Sequence, residues 1–538
     1  MSKQSIMRIH LLLAGLICFQ FSSSAQTFPI GQLELDGDVR NLQLKGLTNP
    51  MQSFTVRPTH FDNKVNLLNL IDSVNDIQFK KINFNKSGDG LTLLPAILTT
   101  KFNSHHPYGW NDENMIAAKG LQTRISAGIH AKWGPLSVQL RPEYVYSANP
   151  TFEHNAGFGA PTNGSSAKLY LGQSNMSLNA GPIAFGLSTQ NLWFGPGQYS
   201  ALLLSNNAPG FEHFNIHTTR PIKTPIGHIE FQIIGGRLNE DSAGGGLYEN
   251  FFLKPQTFSN DSRYLNAMVL SYQPRFLKGF FIGFTRAFQL YEKDFTLQDN
   301  SIVQKYLPVL TSLFKNATSD EDTKMRDQQL SVFLRWLLPK AHTEFYFEYG
   351  YNDHKANARD FVVDPIHAAA YIVGAKKLVP LAKKNHWLEL TTEITQMAQS
   401  NIYVLRNSGN WYVHGQIWQG MTNNHQILGA GSGFGNNVQT FTIAKLDGIK
   451  KFGIKIQRVQ QDPKGTVYDP SLGLVGLNNL YLRDYQWNDF SVGLMARWKF
   501  KKIIASAEVQ QVFSNNYSWL KNNNRSNFYG LLNIAYLW

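Results

Sequence analysis

Apolar and polar residues alternate along much of this chain. From Asn488 to Phe500, every second position from Phe490 is apolar (Phe490, Val492, Leu494, Ala496, Trp498, Phe500), with Asp489, Ser491, Gly493, Arg497 and Lys499 between them. A period of two is that of a strand with one apolar and one polar face. After only a Lys501-Lys502 turn, Ile503, Ala505, Ala507, Val509 and Phe513 alternate with Ser506, Glu508 and Gln510. Leu330–Trp336 and Phe345–Tyr351 repeat the pattern. Soluble sandwiches alternate too, so length discriminates. These runs reach about a dozen residues, where sandwich strands have about five or six.

The connections alternate as well. Short turns fall at Trp133-Gly134-Pro135, Gly181-Pro182, Leu338–Ala341, Asp447-Gly448 and Lys501-Lys502. Long polar loops fall between them, at about 147–166, 192–212, 238–262, 291–326, 353–365, 400–436, 462–487 and 515–525. Short turns on one rim and long loops on the other describe a bacterial outer-membrane barrel, with the long loops extracellular. About seventeen strands follow Leu121, and Leu91–Phe102 makes the number even, about eighteen, with both termini periplasmic. The final segment places Phe528, Gly530, Leu532, Ile534, Tyr536 and Trp538 on one face. It resembles the terminal signal read by barrel-assembly machinery, an expected partner, and closure would remove its free edge.

The first residues read as an export signal over residues 1–25. Lys3 and Arg8 precede an apolar Leu11–Phe21, and Ser23-Ser24-Ala25 offers a small-residue cleavage site. That run is too short to span a membrane, which takes about 20 residues, and no later run is long enough. Cys18 is the only cysteine, and Leu16-Ile17 before it does not suit lipoprotein processing. A chain cleaved after Ala25 would hold no disulfide, thiolate zinc site or cysteine nucleophile. Residues 26–90 do not read as wall. Ser53-Phe-Thr-Val-Arg-Pro58 leads into Phe61–Asp76, where Val65, Leu68, Leu70, Ile71 and Val74 form a helical stripe. The expectation is an all-β, antiparallel transmembrane barrel over 91–538, with a small, partly helical periplasmic element over 26–90.

Composition adds aromatics at 13% and a net charge of +13. The charge suits outer-membrane lipid and lipopolysaccharide head groups, or an acidic polymer as ligand. Nucleic acid is not an expected partner for an exported chain. Gly429-Ala-Gly-Ser-Gly-Phe-Gly435 fits neither a serine elbow nor a dinucleotide loop, and reads as a flexible extracellular loop. His105-His106 lacks partners at metal spacing and reads as a surface pair. Asp489, Arg497, Glu344, Glu348 and Arg335 fit a polar lumen with cross-strand pairing. Ser301–Phe314 reads as a short helix capping the mouth, interrupted at Pro308. No catalytic residue, metal or cofactor is expected, and a monomer is.

One segment stands apart. Asn191-Leu-Trp-Phe-Gly-Pro-Gly197 is followed by Leu202-Leu-Leu-Ser-Asn-Asn-Ala-Pro209. The loop alternation puts it at the extracellular mouth, where glycine and proline fix a tight path. Trp193 and Phe194 offer flat apolar faces, and Ser205, Asn206 and Asn207 offer donors and acceptors. That mixture suits a sugar; an inward loop that merely plugs the lumen is the bland reading. The Trp193-Phe-Gly-Pro196 and Leu203-Leu-Ser-Asn-Asn-Ala-Pro209 pair resembles the hallmark of the Wzi family of capsule-assembly proteins. Pro107-Tyr-Gly-Trp-Asn-Asp112, Lys119-Gly120, Arg141-Pro-Glu143 and Thr219-Arg-Pro221 before Gly227 resemble it too. The resemblance implies a barrel of about eighteen strands with a helical periplasmic element. It also implies a lectin-like anchor for capsular or extracellular polysaccharide. The expected ligand-binding residues are Asn191, Trp193, Phe194, Ser205, Asn206, Asn207 and, from the Thr219-Arg-Pro221 match, Arg220. A diffusion channel or transporter is the alternative, and a surface hydrolase ranks last because spacing picks out no nucleophile or carboxylate pair.

Overall fold

The computed structural model describes residues 25–28, 35–62, 67–72, 80–85, 89–150, 164–239, 262–298, 301–311, 324–352, 362–363, 366, 368–398, 411–412, 414, 417, 419–424, 426–461 and 485–538. The export signal expected over residues 1–25 lies outside them, apart from Ala25. The wall is one closed antiparallel barrel of eighteen strands. They are β1 (Gly90–Asn103), β2 (Gly120–Trp133), β3 (Leu136–Leu140 and Glu143–Ser147), β4 (Ser166–Tyr170 and Asn175–Ala180), β5 (Ile183–Ser188) and β6 (His213–Thr218 and Ile222–Lys223). Next come β7 (Gly227–Leu238), β8 (Arg263–Pro274), β9 (Phe280–Tyr291), β10 (Asp327–Leu338), β11 (Thr343–Asn352) and β12 (Ala369–Pro380). The last are β13 (His386–Gln396), β14 (Asn437–Asp447), β15 (Lys450–Gln460), β16 (Asn488–Phe500), β17 (Ile503–Asn515) and β18 (Arg525–Tyr536). β18 pairs with β1 from Tyr529↔Asn103 to Tyr536↔Ala96, which closes the ring. The Trp538 indole then donates to the Leu94 carbonyl at 2.7 Å.

The alternation in the sequence becomes the two faces of this wall. On β16, Phe490, Val492, Leu494, Trp498 and Phe500 are exposed outside, while Asp489, Ser491 and Arg497 are buried inside. Phe528, Leu532, Tyr536 and Trp538 likewise face outward on and just beyond β18. An outer apolar belt over a polar lumen is the pattern of a transmembrane barrel. The short turns join strands at one rim and the long loops at the other. Pro142 interrupts β3, because a proline cannot donate to the ladder. Of the lumenal charges expected to pair across strands, Arg335 and Glu344 do; the others meet the N-terminal element or neutral groups. Arg335 binds Glu344 across β10 and β11, with Nε at 2.8 Å, and Arg497 binds Asp38. Glu348 accepts from Ser331, and Asp489 from Gln461 and Trp487.

The N-terminal element packs inside the barrel at its short-turn end. Its helices are α1 (Asp36–Leu44) and α2 (Leu67–Asp72). Of the stretch Phe61–Asp76, only Leu67–Asp72 is helical among the described residues; Thr59–Asp62 is a strand paired with Ala25–Phe28. Helix α1 packs Val39 and Leu42, with Leu35 before it, against Ile97, Ile504 and Leu537 of the wall side, while its polar residues are buried as well. Arg40 contacts Glu344 at 3.0 Å, Asn41 donates to Glu389, and the Lys376 ammonium donates to Asn41. In α2, Asp72 accepts from Lys499 at 2.7 Å.

The loop between β9 and β10 departs from expectation. Ile302–Tyr306 is helical and Pro308–Leu310 forms a separate turn, so Pro308 does break the helix. The segment does not cap the mouth. It lies against the outer face of β8 and β9, with the Val309 amide donating to Asn266 and Arg286 donating to the Thr311 carbonyl. Phe288 and Leu290 share a face with exposed Ile282 yet are wholly buried beneath it. The apolar wall at this azimuth offers the segment more burial than the polar mouth does.

His60 of the N-terminal element stacks on His217 of β6, with centroids 4.3 Å apart. Asn175, Ser177, Ser188, Gln190, Asn215 and Gln232, all uncharged, surround the pair. Burial pushes the His60 imidazole down from 6.5 to about 4. The docked element therefore binds fewer protons than a released one. The stability His60 contributes is present above its ordinary range and is lost as pH falls through about 4. Hydrogen exchange at residues 52–62, corrected for intrinsic rates, is expected to speed several-fold from about pH 7 to about pH 4. Unchanged protection would overturn this linkage.

Candidate functional site

The connection from β5 to β6 folds into the lumen rather than out of it. Trp193–Phe194 forms a two-residue antiparallel ladder with Val56–Arg57 of the N-terminal element, in register Trp193↔Arg57 and Phe194↔Val56. The Gly195 amide donates to the Thr55 carbonyl at 2.9 Å. Arg57 Nη2 donates to the carbonyls of Gly195 and Gly197, and Arg40 Nη1 to that of Pro196 at 2.6 Å. Three successive buried carbonyls thus meet two guanidinium groups. The glycines are required by space. Gly195 has φ +118°, and a Cβ there would sit 2.7 Å from the Glu348 carboxylate; at Gly197 it would sit 1.9 Å from the Ser200 carbonyl oxygen. The Arg57 guanidinium also stacks on Trp193, 4.4 Å from the ring centroid.

A second loop, between β13 and β14, locks onto the first. The Ser205 amide donates to the Leu428 carbonyl at 2.7 Å, and the Ser205 hydroxyl to that of Gly429. Asn207 donates to Ile427, and the Tyr412 hydroxyl to Leu202 at 2.8 Å. Leu202, Leu203 and Leu204 are buried with Phe194, Trp411 and Leu428 against Ile234, Leu265, Val269, Phe333 and Ile372 of the wall. Burying each leucine contributes roughly 1.5–3 kcal/mol. So half of the lumen is a hydrophobic core built across β7 to β12. Gly429–Gly435 belongs to it: Ala430 and Ser432 are fully buried, and Phe434 is buried too. The segment is not the flexible extracellular loop its composition suggests, because its glycines permit close packing. A Cβ at Gly431 would lie 2.1 Å from Asn207 Oδ1.

The other half of the lumen holds a polar cavity of about 240 Å³. Its lining includes Tyr108, Trp110, Asn111 and Asp112 of the β1–β2 loop, Arg40 and Arg57 of the N-terminal element, and Trp193, Tyr199 and Asn206. Lys376, Glu389, Lys451, Lys455 and Glu508 complete the wall. Lys376 and Lys451 share Glu389, at 3.1 and 2.9 Å, and Lys455 pairs with Glu508. Trp193 Nε1, Asn206 Oδ1, Asn111 Oδ1 and Arg57 Nε have no protein hydrogen-bond partner.

The structure thus divides the residues expected to bind ligand. Trp193 and Asn206 line the cavity. Asn191, Phe194, Ser205 and Asn207 hold the loop: Asn191 donates to the Ala208 carbonyl and accepts from Gln173, and Phe194 is wholly buried. Arg220 is exposed in the turn after His213–Thr218, at the short-turn rim and apart from the other six. His105-His106 is not a surface pair. His106 is buried beside Tyr517, its centroid 4.6 Å away, because the β1–β2 loop also folds inward. Arg40, Arg57 and Tyr199 were not singled out from the sequence. The signals were the Ser53–Pro58 run, whose Arg57 pairs with the signature, and the Pro107–Asp112 run, which lines the cavity.

Fold and site together define an outer-membrane-type β-barrel whose lumen is filled by its own N-terminal element and inward loops. The capsule assembly protein Wzi family matches residues 103–524, and the chain belongs to that family. A solved structure of Wzi, an outer-membrane protein involved in group 1 capsule assembly in Escherichia coli and a carbohydrate-binding β-barrel, shares the fold. It is 10% identical with a TM-score of 0.61, covering 96% of this chain and 100% of that one. The Acinetobacter baumannii channel DcaP (9% identity, TM-score 0.34, 84% and 99% coverage) and OccAB3 from the same species (10%, 0.39, 82% and 98%) also align. No curated protein matches the chain in sequence.

The lock between the two inward loops is testable. A methyl group at Gly429 would lie 2.3 Å from the Leu202 carbonyl oxygen and 2.5 Å from the Tyr412 hydroxyl. Gly429→Ala is expected to cost about 1–3 kcal/mol by overpacking. The check is a lower denaturation midpoint by tryptophan fluorescence, with heat-dependent gel mobility reporting that the barrel has closed. An unchanged midpoint would mean that the loops are not locked there.

Proposed function

We propose that this barrel holds capsular or extracellular polysaccharide at the cell surface during capsule assembly, and that it does so as a binding protein without catalysing a reaction. In this reading the long loops are extracellular, the short turns are periplasmic with α1 in the lumen behind them, and the outer belt sits in outer-membrane lipid. The observation that carries it is the use of the family signature. Trp193–Pro209 is spent on packing the lumen and on walling a polar, aromatic cavity, which suits retention of a sugar better than passage of a solute. The relative from Escherichia coli, a carbohydrate-binding barrel of the same fold, supports the same reading.

The channel alternative makes the opposite demand, an unobstructed polar path. Two measurements separate them. Deleting the gene is expected to shift polysaccharide from the cell-bound to the released fraction, restored by the native chain. The purified barrel in a planar bilayer is expected to give no steady large openings. Unaltered retention together with steady conductance would replace the anchor by a pore.

A further inference from the structure

The cavity has a chemical polarity of its own. Arg57 is only 4% exposed and meets the Gly195 and Gly197 carbonyls and the Trp193 ring; it makes no ion pair among the described residues. A buried guanidinium without an ion-pair partner is costly, and such groups normally meet an anion. Burial, with Arg40 beside it, pushes its pKa down to about 9, against the weaker opposing pull of the Asp36 and Glu393 carboxylates. Beside it, Trp193 is 3% exposed and its indole N–H has no protein partner. Two donors are therefore left over, Arg57 Nε and Trp193 Nε1. Two acceptors are left over as well, the side-chain carbonyls of Asn206 (1% exposed) and Asn111. All four residues line the same cavity, with the Trp110 ring.

We infer that this cavity receives one carboxylated sugar residue, a hexuronate unit of the polysaccharide. The carboxylate answers the leftover donors of Arg57 and Trp193. The ring hydroxyls answer the leftover acceptors of Asn111 and Asn206, and Trp110 offers a flat apolar face to the sugar's C–H groups. A neutral hexose would satisfy the acceptors but leave the guanidinium without an anion hydrogen-bonded to it. An inorganic anion would do the reverse. The inference rests on the polysaccharide-binding reading, and it replaces a site on the outer surface of the loops by one inside the lumen.

The test is calorimetric titration of the purified full-length barrel with sodium glucuronate, glucose and sodium acetate at matched ionic strength. Glucuronate is expected to bind at least about tenfold more tightly than either of the others, since each lacks half of the complementary groups. Trp193→Phe keeps the ring under Arg57 and removes only the indole N–H; it is expected to weaken glucuronate about tenfold. Asn111→Ala, at the half-buried edge, guards against a folding artefact and is expected to weaken glucuronate and glucose alike. Heat-dependent gel mobility confirms that each variant is a closed barrel. Equal binding of glucuronate and glucose, no binding of either, or native affinity in Trp193→Phe would overturn the inference. Polysaccharide retention in cells separates it from the broader reading. Retention that needs the protein, without glucuronate binding, removes the cavity site and leaves the anchor; glucuronate binding with unaltered retention does the opposite.

Discussion

An eighteen-stranded wall encloses more space than its own inward side chains can fill. Every second residue of each strand points into that space, and in this chain most of them are polar or charged. Each buried donor, acceptor or charge there needs a partner. The chain supplies the partners itself. Its N-terminal element enters from the short-turn end, and loops after β1, β5 and β13 fold in from the other. The molecule is a barrel around a second, irregular protein core made of its own connections.

That core has two chemistries, and the division explains the signature. The inner wall of β7 to β12 carries an apolar patch that takes up the three leucines at 202–204 with Trp411 and Leu428. Elsewhere, including the short-turn ends of β10 to β12, it is ionic: Arg40 and Arg335 share Glu344, and Lys376 and Lys451 share Glu389. The Trp193-Phe-Gly-Pro196 turn sits on the boundary. It sends Phe194 into the apolar half and Trp193 towards the polar half, and its carbonyls accept from Arg40 and Arg57. This is why the turn and the N-terminal element read as one unit.

The wall was legible in the sequence because a transmembrane strand must obey period two. Strand number, the alternation of turns and loops, and the outward residues of β16 to β18 all follow from that rule. What filled the wall was less legible. Helix α1 reads Asp36-Gly-Asp-Val-Arg-Asn-Leu-Gln-Leu44: Leu35, Val39 and Leu42 make a short apolar row, but Arg40, Asn41 and Gln43 are buried too, on Glu344, Glu389 and near neighbours. Periodicity measures contrast with water, and polar side chains buried on the other faces hide that contrast. The glycine run at 429–435 misleads for a related reason, since glycine marks both flexibility and close approach, and only a neighbour decides between them. Trp193 and Asn206 were found because aromatics beside amides stand out in any loop. Arg57 was not, because its meaning depends on a missing ion-pair partner among the described residues, which only the three-dimensional arrangement shows.

The Arg497–Asp38 contact joins residues 459 positions apart. Asp38 lies in the first helix of the fold, and Arg497 lies on β16, two strands before the ring closes. The N-terminal element therefore meets the last of its partners only when the wall is nearly finished, and it has to be in place, or able to enter from one end, as β18 zips onto β1. Folding order is thereby constrained: contacts of such long range form late and slowly, and the last strand to pair also seals in the first segment made.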